Sequence, residues 1–380
     1  MAGVKKLKIG IITFWWSHDN YGQLLQCYAL QKYLRNMGHE PFLIRYIPDK
    51  DYKKSPLWIK LLKACNPFLL YKFLKRNFVH LATKKVTEKL AAERTEHNRC
   101  FDDFRNKFLK VSEKVYESYD ALFYDAPEAD IYITGSDQVF NYHFYPQKAI
   151  NAYFLNFGSP DARRISYGAS WGMTMLPGKY KKAIEPLLQK FDYVSVREKT
   201  GIDLCRECGR NDAEWVCDPT LLLDAEKYRA IYRENEIRKP DGKFLLLYML
   251  ANECDFDIQT VYDFAASKGL EVVYVTGNGV LDKRKKYFAT IPEWLYLVDN
   301  AEYVITNSFH CAVFSTIFHK QFGVIPLSGS VGQMNSRFDA LFEIREMHKR
   351  YVSENDFSIL DIAYDCSEVA VSKRFVGELQ

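Results

Sequence analysis

Four polar segments carry side chains that could bind anions or move protons, and each follows an apolar run typical of a buried strand. Such positions collect at the carboxyl edge of a parallel sheet, where ligands of open α/β folds bind. Together they offer an imidazole, a guanidinium, a carboxylate and several amides, which suits proton transfer on an anionic substrate. The segments span residues 18–23, 135–138, 197–198 and 306–310.

The first segment, 18–23, places polar side chains and the flexible Gly22 at the start of a helix. The first turn of a helix has unpaired N–H groups and the positive end of the helix dipole, so it can bind an anion. A structural interpretation is equally open, in which Asn20 or Asp19 merely caps the helix.

The second segment, Gly135 to Gln138, follows the strand-like run Ile131 to Thr134. Ser136, Asp137 and Gln138 are three consecutive hydrogen-bonding side chains, and burying them is costly unless something satisfies them. We therefore predict a second polar site at this strand end.

The remaining two segments supply a cation and a titratable group. Arg197 ends the run 193–196, and its planar fork suits two-point binding of a carboxylate or phosphate. Structural pairing with Glu198 is the alternative. His310 follows the run 303–306; a lone histidine is more often structural, but an imidazole at this edge of a sheet is well placed for proton transfer near neutral pH.

Several well-known catalytic motifs are absent from the sequence. It contains no G-x-G-x-x-G, Walker loop, H-E-x-x-H or G-x-S-x-G, which weighs against a standard dinucleotide enzyme, P-loop ATPase, zincin or α/β hydrolase. Asp255 and Asp257 open a helix, where acids suit the dipole. Cys205, Cys208 and Cys217 lack the fourth ligand of a zinc site, so we expect reduced structural thiols and no metal.

The elements that position these segments follow a strand–helix–strand pattern that occurs twice. Apolar spacing predicts strands at 8–13 and 42–46 around a helix at 24–37, and strands at 244–250 and 272–276 around a helix at 257–268. We expect an α/β fold with two Rossmann-like domains, 1–225 and 226–380, facing across a substrate cleft. The last helix is expected to return to the first domain.

Basic residues concentrate in one part of the chain. The net charge of +4 gives no sign of nucleic-acid binding, but residues 50–110 hold 16 Lys and Arg against six Asp and Glu, which leaves −6 for the rest. We expect a basic helical insert at about 50–115. It is either a solvated helical subdomain or a surface that touches anionic lipid, with Trp58 as an anchor.

The sequence shows neither a membrane span nor a secretory leader. No apolar run approaches the roughly 18 residues that a spanning helix needs, and the N-terminus leads straight into a strand without a cleavage site. We therefore expect a cytoplasmic protein, with peripheral contact to the inner membrane face as a further expectation from the basic insert.

Seven sequence blocks occur in order between residues 20 and 342. The blocks are NYGQLLQCYALQKYL, ITGSDQVFN, YGASWG, DYVSVREKTG, DPTLLL, ITNSFHCAVFSTIFHKQF and MNSRFDALF. Each block alone is unspecific, but together and in this order they resemble the polysaccharide pyruvyl transferase family. The family commonly has a small residue, often glycine, after the histidine, where this chain has Cys311.

The resemblance implies a fold similar to GT-B glycosyltransferases and the transfer of a pyruvyl group from phosphoenolpyruvate onto two sugar hydroxyls as a ketal. His310 would then be the general acid–base, Arg197 a clamp on the donor, and Asp137 the third member of the catalytic set. No cofactor is implied beyond the donor substrate. The implied substrate-binding residues are Asn20, Tyr21, Gly22, Gln23, Gly135, Ser136, Gln138, Ser170, Asn307, Ser308 and Arg337.

The expected partners are phosphoenolpyruvate and a saccharide acceptor of a cell-surface polysaccharide, expected to be lipid-linked. Two other functions fit the same fold: a GT-B nucleotide-sugar glycosyltransferase and a non-catalytic protein of envelope polysaccharide assembly. Competition between phosphoenolpyruvate and UDP- or GDP-sugars as donors would distinguish the glycosyltransferase from a pyruvyl transferase. The presence of His310, Arg197 and Asp137 together argues against the non-catalytic assembly protein.

Overall fold

The computed structural model describes residues 5–48, 88–89, 92–93, 95–250, 254–277, 280 and 282–380. Most of the expected basic insert, including Trp58, lies outside these residues, and so does the membrane-docking prediction that depends on it. No helix within the described ranges is both long and apolar enough to cross a bilayer.

The first half of the chain forms a five-stranded parallel sheet in the order β3-β2-β1-β4-β5. Residues of β1 and β4 are buried on both faces, as parallel sheets covered by helices require. The carboxyl ends of β1 and β4 lie side by side, with Ile12 opposite Thr134. The strands are β1 Lys8–Ile12, β2 Glu40–Tyr46, β3 Val111–Tyr116, β4 Ile131–Thr134 and β5 Arg163–Ser166.

Two short strands, β6 Ser195–Val196 and β7 Glu214–Trp215, extend this sheet past β5. Single bridges join them to it, one between Ile165 and Tyr193 and another between Ala169 and Val196. The expected strand at 193–196 is thus reduced to a two-residue ladder, but it still delivers Arg197 to the same edge as the β4 loop.

The second half forms a four-stranded parallel sheet in the order β11-β10-β8-β9. All six residues of β8 are buried. Together the two parallel sheets confirm the predicted α/β fold, and the repeated strand–helix–strand units are present in both. The strands are β8 Phe244–Met249, β9 Glu271–Thr276, β10 Tyr303–Thr306 and β11 Gln321–Val324.

Helices connect the strands and cover the sheets. The α-helices whose bounds are described are α1 Tyr21–Asn36, α2 Phe101–Phe108, α3 Tyr119–Tyr124, α4 Ile150–Tyr153, α5 Gly178–Leu188, α6 Lys199–Glu207, α7 Ala225–Arg233, α8 Gln259–Ser267, α9 Ile291–Asn300, α10 Phe309–Ile317, α11 Ser336–Ile344 and α12 Lys373–Glu378. Shorter 3-10 segments are Tyr142–Phe144, Gln147–Ala149, Pro219–Leu222, Gly329–Asn335 and Ser358–Asp361.

The carboxyl end of the expected basic insert differs from the prediction. After helix α2, the chain forms the edge strand β3, in which Val111 pairs with Leu43 and Val115 with Arg45. The Ser112 hydroxyl accepts a hydrogen bond from the backbone N–H of Arg45 at 3.0 Å, which helps to hold this edge. Residues 111–116 are therefore part of the first sheet, because their β-branched side chains favour extended backbone over helix.

The two halves are held together by buried contacts. The Tyr21 ring of the first half stacks on Trp294 of the second at 5.1 Å, and its hydroxyl donates to the carbonyl of Ala289 at 2.8 Å. At the other end of the chain, Phe375 of α12 packs on Tyr167 of the first half at 4.4 Å. These contacts fix the two sheets with their carboxyl edges facing each other.

Candidate functional site

A cavity of about 230 Å³ lies between the two sheets, where the carboxyl ends of their strands meet. The first half supplies the residues that follow β1 and β4 and those at the start of α1. The second half supplies the residues that follow β8 and β10 and those around the start of α11. The lining residues are Phe14, Asn20, Gln23, Asp137, Gln138, Phe144, Leu250, Asn307, Phe309, His310, Leu327, Met334 and Arg337.

Asp218 lies next to both Arg197 and His310, which the sequence singled out. Its Oδ2 lies 2.6 Å from Nη1 of Arg197 and 3.5 Å from Nε2 of His310, and it accepts a hydrogen bond from the Ser136 hydroxyl at 2.9 Å. The Asp218 side chain is fully buried. One carboxylate thus neutralises the guanidinium of the first half and lies beside the imidazole of the second, whose buried Nε2 has no hydrogen-bond partner among the described residues.

The electrostatic balance of this group keeps Asp218 ionised. Burial by itself raises the pKa of a carboxyl, but the neighbouring His310, Arg197 and the Thr220 hydroxyl stabilise the carboxylate and hold the pKa of Asp218 well below its usual range. Burial also works against the charge of Arg197, yet Asp218, Glu198 and Asp137 raise the pKa of that guanidinium above its ordinary value.

Arg197 retains hydrogen-bonding capacity that the described protein atoms do not use. Its Nε and Nη2 are buried without a hydrogen-bond partner among the described residues, although Nε lies 4.0 Å from Oε1 of Glu198. Glu198 in turn accepts a hydrogen bond from the hydroxyl of Ser170. Unpaired donors on a buried guanidinium are rare in proteins, and an anionic ligand would satisfy them.

A second guanidinium, that of Arg337, lies beside the first. The ring of Phe309 lies under both, 4.6 Å from the guanidinium carbon of Arg197 and 5.8 Å from that of Arg337. Burial and the positive charge of Arg197 lower the pKa of Arg337 to about 10. Two adjacent cations that repel each other beside a cavity form a site that a polyanion would stabilise.

His310 is held at the start of α10 by its neighbours in the chain. Ser308 caps the helix, accepting from the backbone N–H of Cys311 at 3.4 Å, and Asn307 accepts from the N–H of Leu250 at 2.8 Å. Cys311, where the family commonly has a smaller residue, is fully buried. On the opposite side, Gly22 of α1 packs directly on the imidazole, which explains the glycine at that position.

Three amides of the first half use their oxygens within the protein. Oδ1 of Asn20 accepts from the N–H of Gln23 at 3.3 Å, and Oε1 of Gln23 accepts from the N–H of Ser17 at 2.8 Å. Oε1 of Gln138 accepts from Nδ2 of Asn141 at 3.0 Å. Asn141 accepts a hydrogen bond from the backbone N–H of His143 through its own oxygen, so its NH₂ group is the one that faces Gln138. This determines the orientation of the Gln138 amide, as the backbone N–H donors do for Asn20 and Gln23. The first-half wall therefore carries three amide NH₂ groups as donors.

The predicted site residues fall into three groups. Those that line the cavity are Asn20, Gln23, Asp137, Gln138, Asn307, His310 and Arg337. Those that support the lining residues from behind or beside them are Gly22, Gly135, Ser136, Ser170, Arg197 and Ser308. Tyr21 belongs to neither group, since its fully buried ring packs between the two halves.

Sequence reasoning missed the role of Asp218 and of the aromatic side chains Phe14, Phe144 and Phe309. Asp218 begins the block Asp-Pro-Thr, in which its Oδ1 accepts from the N–H of Thr220 at 3.0 Å. That capping pattern was visible in the sequence, but nothing in it indicated a contact with a histidine 92 positions later. Within the described ranges, no group of three or more His, Cys, Asp or Glu side chains is arranged to hold a metal ion.

Solved structures similar to this chain include three that are 10–11% identical to it. The UDP-GlcNAc 2-epimerase of Methanocaldococcus jannaschii with UDP-GlcNAc and UDP is 11% identical, with a TM-score of 0.49, 98% of this chain covered and 99% of that one. The Staphylococcus aureus MnaA–UDP structure is 10% identical, with a TM-score of 0.44, 93% of this chain covered and 86% of that one. The structure of Arabidopsis thaliana UGT89C1 with quercetin is 11% identical, with a TM-score of 0.43, 94% of this chain covered and 88% of that one.

Comparison at the level of sequence is more specific. No curated protein matches the chain significantly. A family model described as polysaccharide pyruvyl transferase, however, matches residues 20–329, which is most of the chain and includes the helix start at Asn20, the β4 loop, Arg197, Asp218 and His310. The match confirms the resemblance noted from the sequence blocks and covers the first six of them; the seventh, which contains Arg337, lies beyond the matched residues. The chain belongs to the polysaccharide pyruvyl transferase family.

Proposed function

We propose that this protein transfers the pyruvyl group of phosphoenolpyruvate onto two hydroxyls of one sugar, forming a cyclic ketal and releasing phosphate. Membership of the family supports a pyruvyl donor and a polysaccharide acceptor. The acceptor proposed is a sugar of a cell-surface polysaccharide or of its lipid-linked precursor. Phosphoenolpyruvate is the donor substrate, and the proposed reaction uses no further cofactor.

The observation that carries the proposal is that Arg337 and His310 line one small cavity, and that the buried guanidinium of Arg197 lies against the ring of Phe309, which also lines it. Phosphoenolpyruvate bears a carboxylate and a phosphate, which need two cationic clamps. Arg197 has two unused donors in a fork, the geometry suited to a carboxylate or phosphate. Burial and, after it, repulsion by Arg197 lower the pKa of Arg337, and a bound anionic donor would offset both effects.

The chemistry begins with a proton transferred from His310 to the methylene carbon of phosphoenolpyruvate, which makes the central carbon electrophilic. A sugar hydroxyl attacks that carbon and gives up its proton as the new C–O bond forms. The phosphate leaves with its bridging oxygen. A second hydroxyl of the same sugar then closes the ring, and its proton returns to His310. One donor and one diol thus yield one ketal and one phosphate.

The surrounding carboxylates have distinct parts in this scheme. Asp218, 3.5 Å from Nε2 of His310, stabilises the imidazolium form that donates the proton. Asp137 lines the cavity on the first half, and its Oδ1 accepts from the N–H of Gln138 at 2.9 Å. We assign Asp137 as the base that takes the proton of the attacking hydroxyl, because it is the acidic residue among the cavity-lining side chains of the described ranges.

Phosphate release from phosphoenolpyruvate tests the proposal when it is measured across a panel of nitrophenyl and lipid-linked glycosides, with product masses. We expect acceptor-dependent release of one phosphate for each sugar that gains a pyruvyl ketal. UDP- and GDP-sugars serve as competing donors in the same assay. Transfer of a sugar from one of them, without consumption of phosphoenolpyruvate, would identify a glycosyltransferase instead.

A further inference from the structure

A single asparagine closes the loop that leads into Arg337. The side-chain amide of Asn335 bonds to the backbone of one residue through both of its groups. Its Oδ1 accepts from the N–H of Leu327, and its Nδ2 donates to the carbonyl of Leu327, each at 2.9 Å. Residues 328–334 therefore form a loop whose two ends are joined. Leu327 at one end and Arg337 just past the other both line the cavity, so the shape of this wall depends on the closure.

The contact requires an amide side chain. A backbone N–H must meet an oxygen and a backbone carbonyl must meet an N–H, so the orientation of the Asn335 amide is determined. An alanine at this position would leave both backbone groups of Leu327 without their partner, and a serine is too short to bridge the two. The closure of the loop is therefore made by this one side chain.

Arg337 is tied to the same loop. Asn335 directly precedes helix α11, and Arg337 lies in the first turn of that helix. Nε of Arg337 donates at 3.2 Å to the carbonyl of Met334, the last residue of the loop. The two terminal nitrogens of the guanidinium then remain for a ligand in the cavity. The place of this cation therefore depends on the shape of the loop.

Other contacts hold the loop less firmly. Oε1 of Gln333 accepts from the backbone N–H and the hydroxyl of Thr174 in the first half, at 3.3 and 3.2 Å, and this contact is exposed. Sδ of Met334 lies 3.9 Å from Nε2 of Gln138, and sulfur is a weak acceptor. Long hydrogen bonds are weak, so these contacts do not replace the closure at Asn335.

Arg337 needs such support because its surroundings oppose its charge. Burial and the neighbouring charge of Arg197 lower the pKa of Arg337 to about 10. A side chain that its neighbour repels moves away more easily when the backbone that carries it is free to shift. The closure at Asn335 fixes that backbone two residues before the guanidinium.

We propose that Asn335 is a positioning residue for donor binding. By joining the loop to Leu327, it holds Arg337 at the cavity, where the guanidinium can contact the carboxylate or the phosphate of the donor. The inference rests on the proposed function. Asn335 is not among the lining residues of the cavity, so it acts through Arg337. Its removal should weaken donor binding only while Arg337 is present.

Binding of phosphoenolpyruvate in the absence of acceptor tests this assignment. Calorimetry would compare the wild-type protein with Asn335→Ala, Arg337→Gln and the double variant. We expect Asn335→Ala to raise the Kd about tenfold, which the loss of two ordinary hydrogen bonds can account for. The double variant should bind within about twofold of Arg337→Gln alone, because the two residues belong to one network. In steady-state assays, the KM for the acceptor should stay unchanged in Asn335→Ala.

Asn300→Ala is the matched control. Nδ2 of Asn300 also donates to a backbone carbonyl, that of Tyr296, at 2.9 Å, but Asn300 ends helix α9 and does not line the cavity. Its replacement should leave the Kd unchanged. Asn335→Ser also removes the bridge to Leu327, and it takes the place of Asn335→Ala if thermal unfolding shows that the alanine variant does not fold.

Three results would overturn the inference. The first is a Kd for Asn335→Ala within about twofold of the wild-type value. The others are effects that add in the double variant, or an equal rise in the KM for the acceptor, since Asn335 would then support the fold as a whole. Absence of phosphoenolpyruvate binding in the wild-type protein is distinct from these, because it would overturn the proposed function and the inference with it.

Discussion

Gly22 leaves no room for a side chain beside His310: a Cβ at this position would lie 2.2 Å from both Cγ and Nδ1 of the imidazole. The two residues belong to different halves of the chain, at the starts of α1 and α10. The contact therefore couples the approach of the two sheets to the position of the proposed proton donor. A glycine that looks like part of a flexible anion-binding loop is explained by packing instead.

Gly22→Ala should lower kcat at least tenfold, because the added methyl group forces the imidazole or helix α1 to move. A misplacement of about 1 Å can cost on the order of a hundredfold in rate. Gly377→Ala in α12 is the control, since a Cβ there meets nothing within 4 Å. Steady-state kinetics on both variants, with circular dichroism to confirm folding, would check this; equal activity of the two variants would contradict the packing argument.

His310→Gln should reduce kcat by about 10²–10⁴, the usual contribution of a positioned acid–base group. Glutamine retains a polar side chain of similar length, so the KM for phosphoenolpyruvate should change far less than kcat. The measurement is phosphate release at saturating donor and acceptor. Turnover above a third of the wild-type rate would remove His310 from the proton-transfer step.

Arg197→Lys should raise the KM for phosphoenolpyruvate much more than the KM for the acceptor. One ammonium cannot reproduce a two-point clamp on an anion, although it keeps the charge that pairs with Asp218. Initial rates measured over both substrate concentrations separate the two effects. Equal changes in both KM values would place Arg197 outside the donor site and leave it a structural partner of Asp218 and Glu198.

Asp218→Asn should lower the free energy of unfolding by about 3–5 kcal/mol, because it leaves the guanidinium of Arg197 buried without its main counter-charge. Urea denaturation would measure the loss. Asp212→Asn is the control: Asp212 also pairs with arginines, but 44% of its side chain is exposed, so its removal should cost about 1 kcal/mol or less.

The same carboxylate makes a prediction about pH. The pKa of Asp218 is lowered in the folded state, so its ionisation stabilises the protein above its unfolded pKa of about 3.9, and this contribution is lost as the pH falls through the folded value. The wild-type protein should therefore lose stability in acid more steeply than Asp218→Asn. Identical slopes below about pH 4 would contradict the assignment of the low pKa to Asp218.

Arg337 should make donor binding sensitive to alkaline pH. Because its pKa is lowered to about 10, the free protein begins to lose this positive charge as the pH rises through that value. The Kd for phosphoenolpyruvate should be steady near neutral pH and rise above about pH 10. Arg337→Gln should bind phosphoenolpyruvate more weakly at neutral pH, and its Kd should rise less at alkaline pH than that of the wild-type protein. If the Kd of Arg337→Gln rises at alkaline pH as much as that of the wild-type protein, the rise is due to another titrating group.

The sequence was informative about the fold wherever local patterns determine it. The apolar runs at β1, β4, β8 and β10 identified the strands whose carboxyl ends meet at the cavity, because parallel strands are buried on both faces. The edge strand β3 was misread as part of a helical insert. Its residues 113–115 are exposed, so no continuous apolar run distinguishes it.

The site was predictable one residue at a time but not as a network. Arg197, Asp137 and His310 stood out because each follows a strand, and the structure brings Arg197 and His310 to a common partner, Asp218. That partner could not be found by spacing, since the contact depends on how the two sheets face each other. Tyr21 shows the converse: its place in a polar loop suggested a ligand contact, while its ring is needed to pack against Trp294.

The fate of the donor's central carbon tests the account most directly. Phosphoenolpyruvate isotopically labelled at that carbon would be incubated with the protein and the best acceptor of the panel, and the product followed by NMR. We predict that the label appears as a ketal carbon bonded to two oxygens of one sugar, in step with phosphate release, and that His310→Gln abolishes both signals together. Label recovered only as free pyruvate or unreacted donor, with no ketal carbon on the acceptor, would contradict pyruvyl transfer.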